Sequence, residues 1–306
     1  MNSLTVALNY KCNNACGFCF LKAERELGLA DAGARELRGL FADNAAARRY
    51  GRLIISGAEA TLRRDLPGIA RRALEEGGFS AVQLQTNGRR LADAAYCRAL
   101  VSAGVSEFLV SIHAATPALD ARLTGSRESF RQMRAGIRNI LACGAKLISN
   151  TVVTSLNYRG LPRLARFFCD EGVRACRFWS FLELGNAGQA EYHVRFSAAL
   201  PRLRAALEIL AKKGGRAELS WFPRCLLGAR AGLLKNYYSA TVISKEFKSR
   251  MGQLGAFHCV HSSSCAHFRK TCLGIHDGYR RRFGDERALL SPAGRRPAGA
   301  GGGEKL

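Results

Sequence analysis

Three cysteines near the N-terminus carry the first chemistry of this chain. Cys12, Cys16 and Cys19 stand as C-x3-C-x2-C in Lys11-Cys12-Asn13-Asn14-Ala15-Cys16-Gly17-Phe18-Cys19. Three thiolates on one short loop can hold three irons of a 4Fe-4S cube and leave the fourth iron open, and an open iron can bind a ligand through amine and carboxylate groups. The spacing alone also suits zinc, which commonly takes paired cysteines plus a fourth ligand. A second set, Cys225, Cys259, Cys265 and Cys272, lies in the last third, and Cys97, Cys143, Cys169 and Cys176 are scattered between. The total of eleven is odd, and MNSLTVALNYKCNN lacks the basic, apolar and small-residue regions of a secretion signal. Reduced, metal-binding thiols in a cytoplasmic protein are therefore expected rather than a disulfide framework.

Such thiols need rigid elements to position them, and the apolar pattern supplies them. Short β-branched runs at Leu4 to Asn9, Leu53 to Ser56, Val82 to Thr86, Phe108 to Ile112, Leu147 to Val153 and Arg177 to Phe181 read as strands. Between them lie helical patterns such as Leu62 to Glu76 and Phe130 to Cys143, with apolar residues every three or four positions. Gly77-Gly78, Gly104, Gly144 and Gly172 stand where helices should end. Six strand–helix units imply an α/β fold, a parallel sheet with right-handed crossovers forming a partial or complete βα barrel. Ligands then belong at the C-terminal ends of the strands, and Cys12 directly follows the first strand.

The alternation stops near Gly185, where a polar stretch to Tyr192 precedes a helix from about Ser197 to Lys213. We read residues 1–214 as the barrel core, 215–290 as a small Cys/His-rich second domain and 291–306 as a disordered tail, since SPAGRRPAGAGGGEKL offers almost nothing to bury. Composition excludes a disordered or fibrous chain: 47% of the 306 residues are apolar and 23% charged. No run of 18 apolar residues predicts a membrane span. The 47 basic and 24 acidic side chains leave a formal charge of +23, which favours anionic partners, although a GC-rich genome that writes Arg and Ala at solvated positions would also produce it. A nucleic-acid partner is not expected from charge alone.

Taken together, the motifs at the strand ends resemble the radical S-adenosylmethionine (SAM) enzymes. The cysteine loop resembles their signature, including the aromatic Phe18 before the third cysteine. Ser56-Gly57-Ala58-Glu59-Ala60-Thr61-Leu62 resembles the family's SGGEPTL loop, with Ala for the second Gly and for the Pro. Gln85-Thr86-Asn87-Gly88 is similar to its TNG turn, and Val110-Ser111-Ile112-His113 to its fourth-strand end. Arg122, eleven residues beyond Ser111, and Asn150 on the fifth strand match polar positions that contact SAM. Each feature alone is ordinary: a turn, a solvated helix charge, a strand-end amide. Their order and shared position after strands carry the likeness, which covers roughly residues 4–183.

The resemblance implies a partial (βα)6 barrel whose reduced cluster cleaves SAM to methionine and a 5′-deoxyadenosyl radical. It assigns Cys12, Cys16 and Cys19 to the cluster. Gly57, Ala58, Glu59, Asn87, Ser111, Arg122 and Asn150 fall to the methionyl and ribose parts of SAM, and Phe18 with the backbone near Phe178 to the adenine. A guanidinium such as Arg122 suits a carboxylate. An electron donor such as flavodoxin or ferredoxin is implied as a partner.

The order Cys225, Cys259, Cys265, Cys272-Leu273-Gly274 resembles the shortened, single-cluster SPASM (twitch) extension. Four thiolates there suit a second, auxiliary 4Fe-4S cluster. Five residues separate Cys259 from Cys265, and His258, His261, His267 and three serines crowd the segment. Zinc with Cys and His ligands, or a cluster with a Ser or His ligand or an open iron, stays as the rival. The scattered cysteines read as core fillers.

For the substrate, a small anionic metabolite, nucleotide-like or another natural-product precursor, suits the Arg excess. A peptide is the alternative, since many relatives with this extension mature ribosomal peptides; a barrel beginning at residue 4 then calls for a separate leader-binding partner. Sulfur insertion at the auxiliary cluster is a third reading. A non-catalytic iron–sulfur or zinc module is a fourth, and the intact Glu59 and Arg122 argue against it.

Overall fold

The computed structural model describes residues 2–22, 28–183, 189–236, 240–242 and 256–292. Strands β1 Ser3–Ala7, β2 Arg52–Ser56, β3 Ala81–Thr86, β4 Val105–Ser111, β5 Lys146–Val153, β6 Ala175–Ser180, β7 Arg216–Ser220 and β8 Ala240–Val242 form one sheet. Their order is β7-β6-β5-β4-β3-β2-β1-β8, and every pairing is parallel. The six expected strands are present and consecutive. The sheet runs two strands further, with β7 beyond β6 and β8 on the free edge of β1.

Helices cross between successive strands: α1 Ala34–Ala47, α2 Leu66–Glu75, α3 Ala94–Ser102, α4 Pro117–Thr124, α5 Ser129–Ala142, α6 Leu161–Asp170 and α7 Phe196–Lys212. The run beginning at Leu62 becomes a helix only at Leu66, because Pro67 fits the first turn and would break a helix that began earlier. Strands also end sooner than their apolar runs. Leu8, Ile112 and Phe181 are buried beyond the ladders, packed under the rim loops.

Strand alternation sends one set of side chains to the helices. Leu53, Ile55, Val82, Leu84, Phe108, Val110, Cys176 and Phe178 meet Phe41, Leu100, Ile137 and Phe168 there in one core. Cys97 and Cys176 are buried in that core, and burial pushes both thiols up to about 12. Cys143 and Cys169 pack against it.

The opposite face of the sheet is polar. Near its N-terminal edge Glu107 accepts from Gln83 and Lys146, and Arg52 lies 3.8 Å away. Nearer the C-terminal edge Ser111, Asn150, Arg177 and Glu218 fall in one register row across β4 to β7.

Beyond β8, β9 Phe257–His258 pairs antiparallel with β10 Ile275–His276, followed by α8 Asp277–Phe283. Tyr279 of α8 stacks on Phe196 at 4.3 Å and accepts from its backbone N–H at 2.8 Å. Ile275, Tyr279 and Leu290 thereby join the main core. Of the expected tail only Ser291 and Pro292 are described; residues 293–306 lie outside the described residues, as do residues 185–188 of the polar stretch. No helix among the described residues is long and apolar enough to cross a membrane.

Candidate active site

The cysteine loop follows β1 and is tied down from three sides. Ala15 N–H donates to the carbonyl of Thr124, at the end of α4, at 2.7 Å. Asn87 donates its amide to Asn13 Oδ1 at 2.7 Å and to Cys12 Sγ at 3.8 Å. The Arg89 guanidinium donates to the Asn13 carbonyl and, at 2.8 Å, to Asn14 Oδ1. Gln189 donates to the carbonyls of Gly17 (3.1 Å) and Cys19 (2.9 Å). Tyr192 packs so closely on Gly17 that any Cβ there would overlap its hydroxyl. Cys12, Cys16 and Cys19 are half-buried and outside any disulfide, and Asn14 N–H also donates to Cys12 Sγ at 3.3 Å. Among the described residues, no three Cys, His, Asp or Glu side chains stand at the spacing of one bound ion.

Gly57 and Glu59 organise the next loop. Gly57 has φ +129°, and a Cβ there would lie 2.6 Å from the Asn9 carbonyl. Gly57→Ala should therefore cost ~1–3 kcal/mol of stability, read as a shift in the denaturant midpoint. An unchanged midpoint would show that this loop relaxes freely. Ala58 donates its N–H to that same carbonyl at 2.9 Å.

The Glu59 carboxylate is fully buried. It accepts from Thr61 Oγ1 (2.5 Å), Thr61 N–H (3.2 Å), Thr86 Oγ1 (2.6 Å) and Asn87 N–H (2.7 Å). A carboxylate has about four acceptor sites, and the chain itself occupies that many. Burial pushes its pKa up while these bonds pull it back. Glu59 thus joins the β2 and β3 loops and sets Asn87, which holds Cys12.

Asn150 is buried, and its Oδ1 has no donor among the described residues. An orphaned acceptor beside Ser111 fits a ligand that brings amine or hydroxyl groups. Arg122, in the last turn of α4, is exposed and makes no ion pair among the described residues. Phe178 turns its ring into the core against Phe168, so only its backbone reaches the rim.

Phe18 sits edge-on to His113 (4.9 Å) and to Tyr192 (6.0 Å), in an apolar cluster with Leu123 and Phe181. His113 Nδ1 accepts from Val152 N–H at 3.3 Å, which leaves the ring proton on Nε2. Burial holds His113 and His193 down at about 4. Such imidazoles take up protons on unfolding, so their contribution is complete above pH 6.5 and declines as pH falls toward 4. By pH 5 the loss should reach about 2 kcal/mol per histidine. His193→Gln should show a shallower fall in urea midpoint between pH 7 and 5 than the parent, and identical slopes would refute this.

Sequence reasoning missed Arg89, Gln189 and Tyr192. Arg89 follows the Asn87-Gly88 turn, which was the available signal; Gln189 and Tyr192 lie in a polar stretch with none.

In the second set, Cys272 accepts from Arg224 N–H at 3.3 Å. It lies within electrostatic reach of Cys225 and Cys259, and Cys259 within reach of Cys265. Burial pushes the Cys225 and Cys259 thiols up. Each neighbouring histidine engages another group: His258 with Asp277 (2.9 Å), His261 with the Leu290 carbonyl (3.2 Å) and His267 with Thr271 (2.9 Å).

A parallel α/β sheet with a three-cysteine loop after its first strand defines a radical-enzyme scaffold. Residues 6–168, just over half of the chain, match the Radical SAM superfamily. The chain belongs to that superfamily and is an enzyme of that class, which implies a 4Fe-4S cluster and SAM as cofactors. The probable GTP 3′,8-cyclase of Metallosphaera sedula is 28% identical over 228 residues, 74% of this chain and 69% of that one. The probable GTP 3′,8-cyclase of Methanopyrus kandleri is 33% identical over 176 residues, 57% of this chain and 55% of that one. Streptococcus suis SuiB bound to precursor peptide SuiA shares the fold at TM-score 0.60 and 18% identity, covering 81% of this chain and 54% of that one. The chain thus spans only part of the length of each.

Proposed function

We propose that this enzyme abstracts hydrogen from a small, anionic, nucleotide-like substrate at the C-terminal ends of the strands. The observation that carries the reading is the tethering of the cysteine loop, through Asn87 and Arg89, to the strand edge that also presents Ser111 and Asn150. Cys12, Cys16 and Cys19 would hold three irons. Ser111, Asn150, Arg122 and the backbone at Gly57 and Ala58 would hold the methionyl and ribose parts of SAM, with Phe18 and the backbone near Phe178 against the adenine. When bound and reduced, the cluster supplies the electron that splits SAM into methionine and a 5′-deoxyadenosyl radical. The chain's own part is orientation and exclusion of water: Glu59 sets Asn87, Asn87 and Arg89 fix the loop, and Phe18, Phe181 and Tyr192 close one wall.

Cys225, Cys259, Cys265 and Cys272 would hold an auxiliary 4Fe-4S cluster. Each neighbouring histidine engages its partner through one ring nitrogen and keeps the other, so zinc with Cys and His ligands stays the rival at this site. The charge of +23 and the GTP 3′,8-cyclase relatives favour a nucleotide. The SuiB–SuiA likeness supports a second reading, a peptide substrate brought by a separate leader-binding partner. An external one-electron donor of the flavodoxin or ferredoxin type completes the system.

The test is isotope transfer. Reduced enzyme with SAM and ribose-deuterated GTP, ATP, UTP or CTP should give deuterated 5′-deoxyadenosine from at least one of them. Unlabelled 5′-deoxyadenosine with all four would remove the nucleotide reading.

A further inference from the structure

The row that carries Ser111 and Asn150 continues across the sheet with residues that the cofactor reading leaves unused. Arg177 on β6 and Glu218 on β7 are register partners joined at 2.8 Å. Arg177 is largely covered, its side chain 13% exposed, whereas the Glu218 side chain is 38% exposed and presents a carboxylate to solvent. Two positions along, Trp179 shares the face of Arg177, since the intervening Phe178 points into the helix-side core. Its ring centroid lies 4.6 Å from that of Trp221, at 59°.

Two features of this pair are unusual. Trp221 has φ +63°, a left-handed conformation that is strained for a bulky residue. Its N–H is captured by Asn236 Oδ1 at 3.0 Å, so the conformation is held in place. The Trp179 Nε1–H is buried without an acceptor among the described residues. A strained aromatic and an orphaned donor together mark a place where a ligand completes the hydrogen bonding.

We infer that Trp179, Trp221, Arg177 and Glu218 form a nucleobase subsite next to the SAM row. This rests on the nucleotide reading above and names the part of the substrate held there. The indoles supply stacking surface for a base. Glu218 accepts N–H groups from a base edge, Trp179 Nε1–H donates to a ring nitrogen or carbonyl, and Arg177 orients the Glu218 carboxylate through its bond to Oε2. An aliphatic metabolite would use neither the indole faces nor the paired donor and acceptor.

Trp179 and Trp221 are the chain's two tryptophans, so its indole emission comes from this site alone. The reconstituted enzyme is titrated with GTP, ATP, UTP, CTP, inorganic tripolyphosphate and a tryptophan-free acidic peptide. Saturable quenching by at least one nucleotide, with none by tripolyphosphate, is expected. Trp221→Asn, whose new side chain tolerates φ > 0, should weaken that nucleotide at least tenfold by equilibrium dialysis while keeping or raising the melting temperature. A purely structural indole would instead lower the melting temperature and leave affinity alone, which overturns the subsite. Equal quenching by tripolyphosphate, a response to the peptide only, or no response to any nucleotide overturns it as well. Parallel assay of 5′-deoxyadenosine from SAM by the unsubstituted enzyme shows separately whether the underlying radical reading stands.

Discussion

Replacing Cys12, Cys16 or Cys19 singly by Ala should reduce 5′-deoxyadenosine formation to background. Two thiolates cannot hold a cube with one open iron. The loop backbone should survive each change. The Ala15 bond to Thr124, the Arg89 and Asn87 bonds to Asn13 and Asn14, and the Gln189 bonds to Gly17 and Cys19 need no cysteine side chain, whereas Cys12→Ala also loses the Asn14 and Asn87 bonds to Sγ. The loss should therefore appear in iron content and SAM cleavage with little change in the denaturant midpoint of the metal-free chain. Full 5′-deoxyadenosine production by any one of the three variants would defeat the assignment.

The second large effect concerns the distal cysteines. With an auxiliary cluster at Cys225, Cys259, Cys265 and Cys272, the reconstituted protein should contain about eight irons, two cubes of four. Replacing all four by Ala should leave about four irons, SAM cleavage should persist, and turnover of the substrate should cease. Cys265 and Cys272 are buried, so circular dichroism and a melting curve must accompany the iron count to separate a lost ligand set from a lost fold. One equivalent of zinc with four irons in the unsubstituted protein would replace the cluster by a structural metal site. Retained product formation in the fourfold variant would show that this region is not needed for the chemistry.

Much of this site was legible because its residues are local to strand ends. The C-x3-C-x2-C loop, the Gly57–Glu59 turn, Thr86-Asn87-Gly88 and Ser111 each follow a β-branched run whose period is visible without a structure. β7 and β8 were not legible: Arg216–Ser220 buries one large apolar side chain, Leu219, and Ala240–Val242 has three residues at a sheet edge. For Glu59 the resemblance implied a contact to SAM, and its partners within the chain were not legible. Its bonds to Thr61, Thr86 and Asn87 depend on how two loops meet across parallel strands, which residue spacing does not encode. Gln189 and Tyr192 reach the cysteine loop from some 170 residues away in sequence, out of a stretch with no periodicity. Arg177 and Trp179 were visible as strand residues, but their register partners and the strain at Trp221 appear only once β6 and β7 are paired.

The most direct test of the account is the fate of SAM on the reconstituted, reduced protein. Under anaerobic conditions with dithionite, and with at least four irons per chain, the protein should convert SAM to 5′-deoxyadenosine and methionine in equal amounts. Intact SAM at full iron loading, with the cluster shown to be reduced, would contradict it.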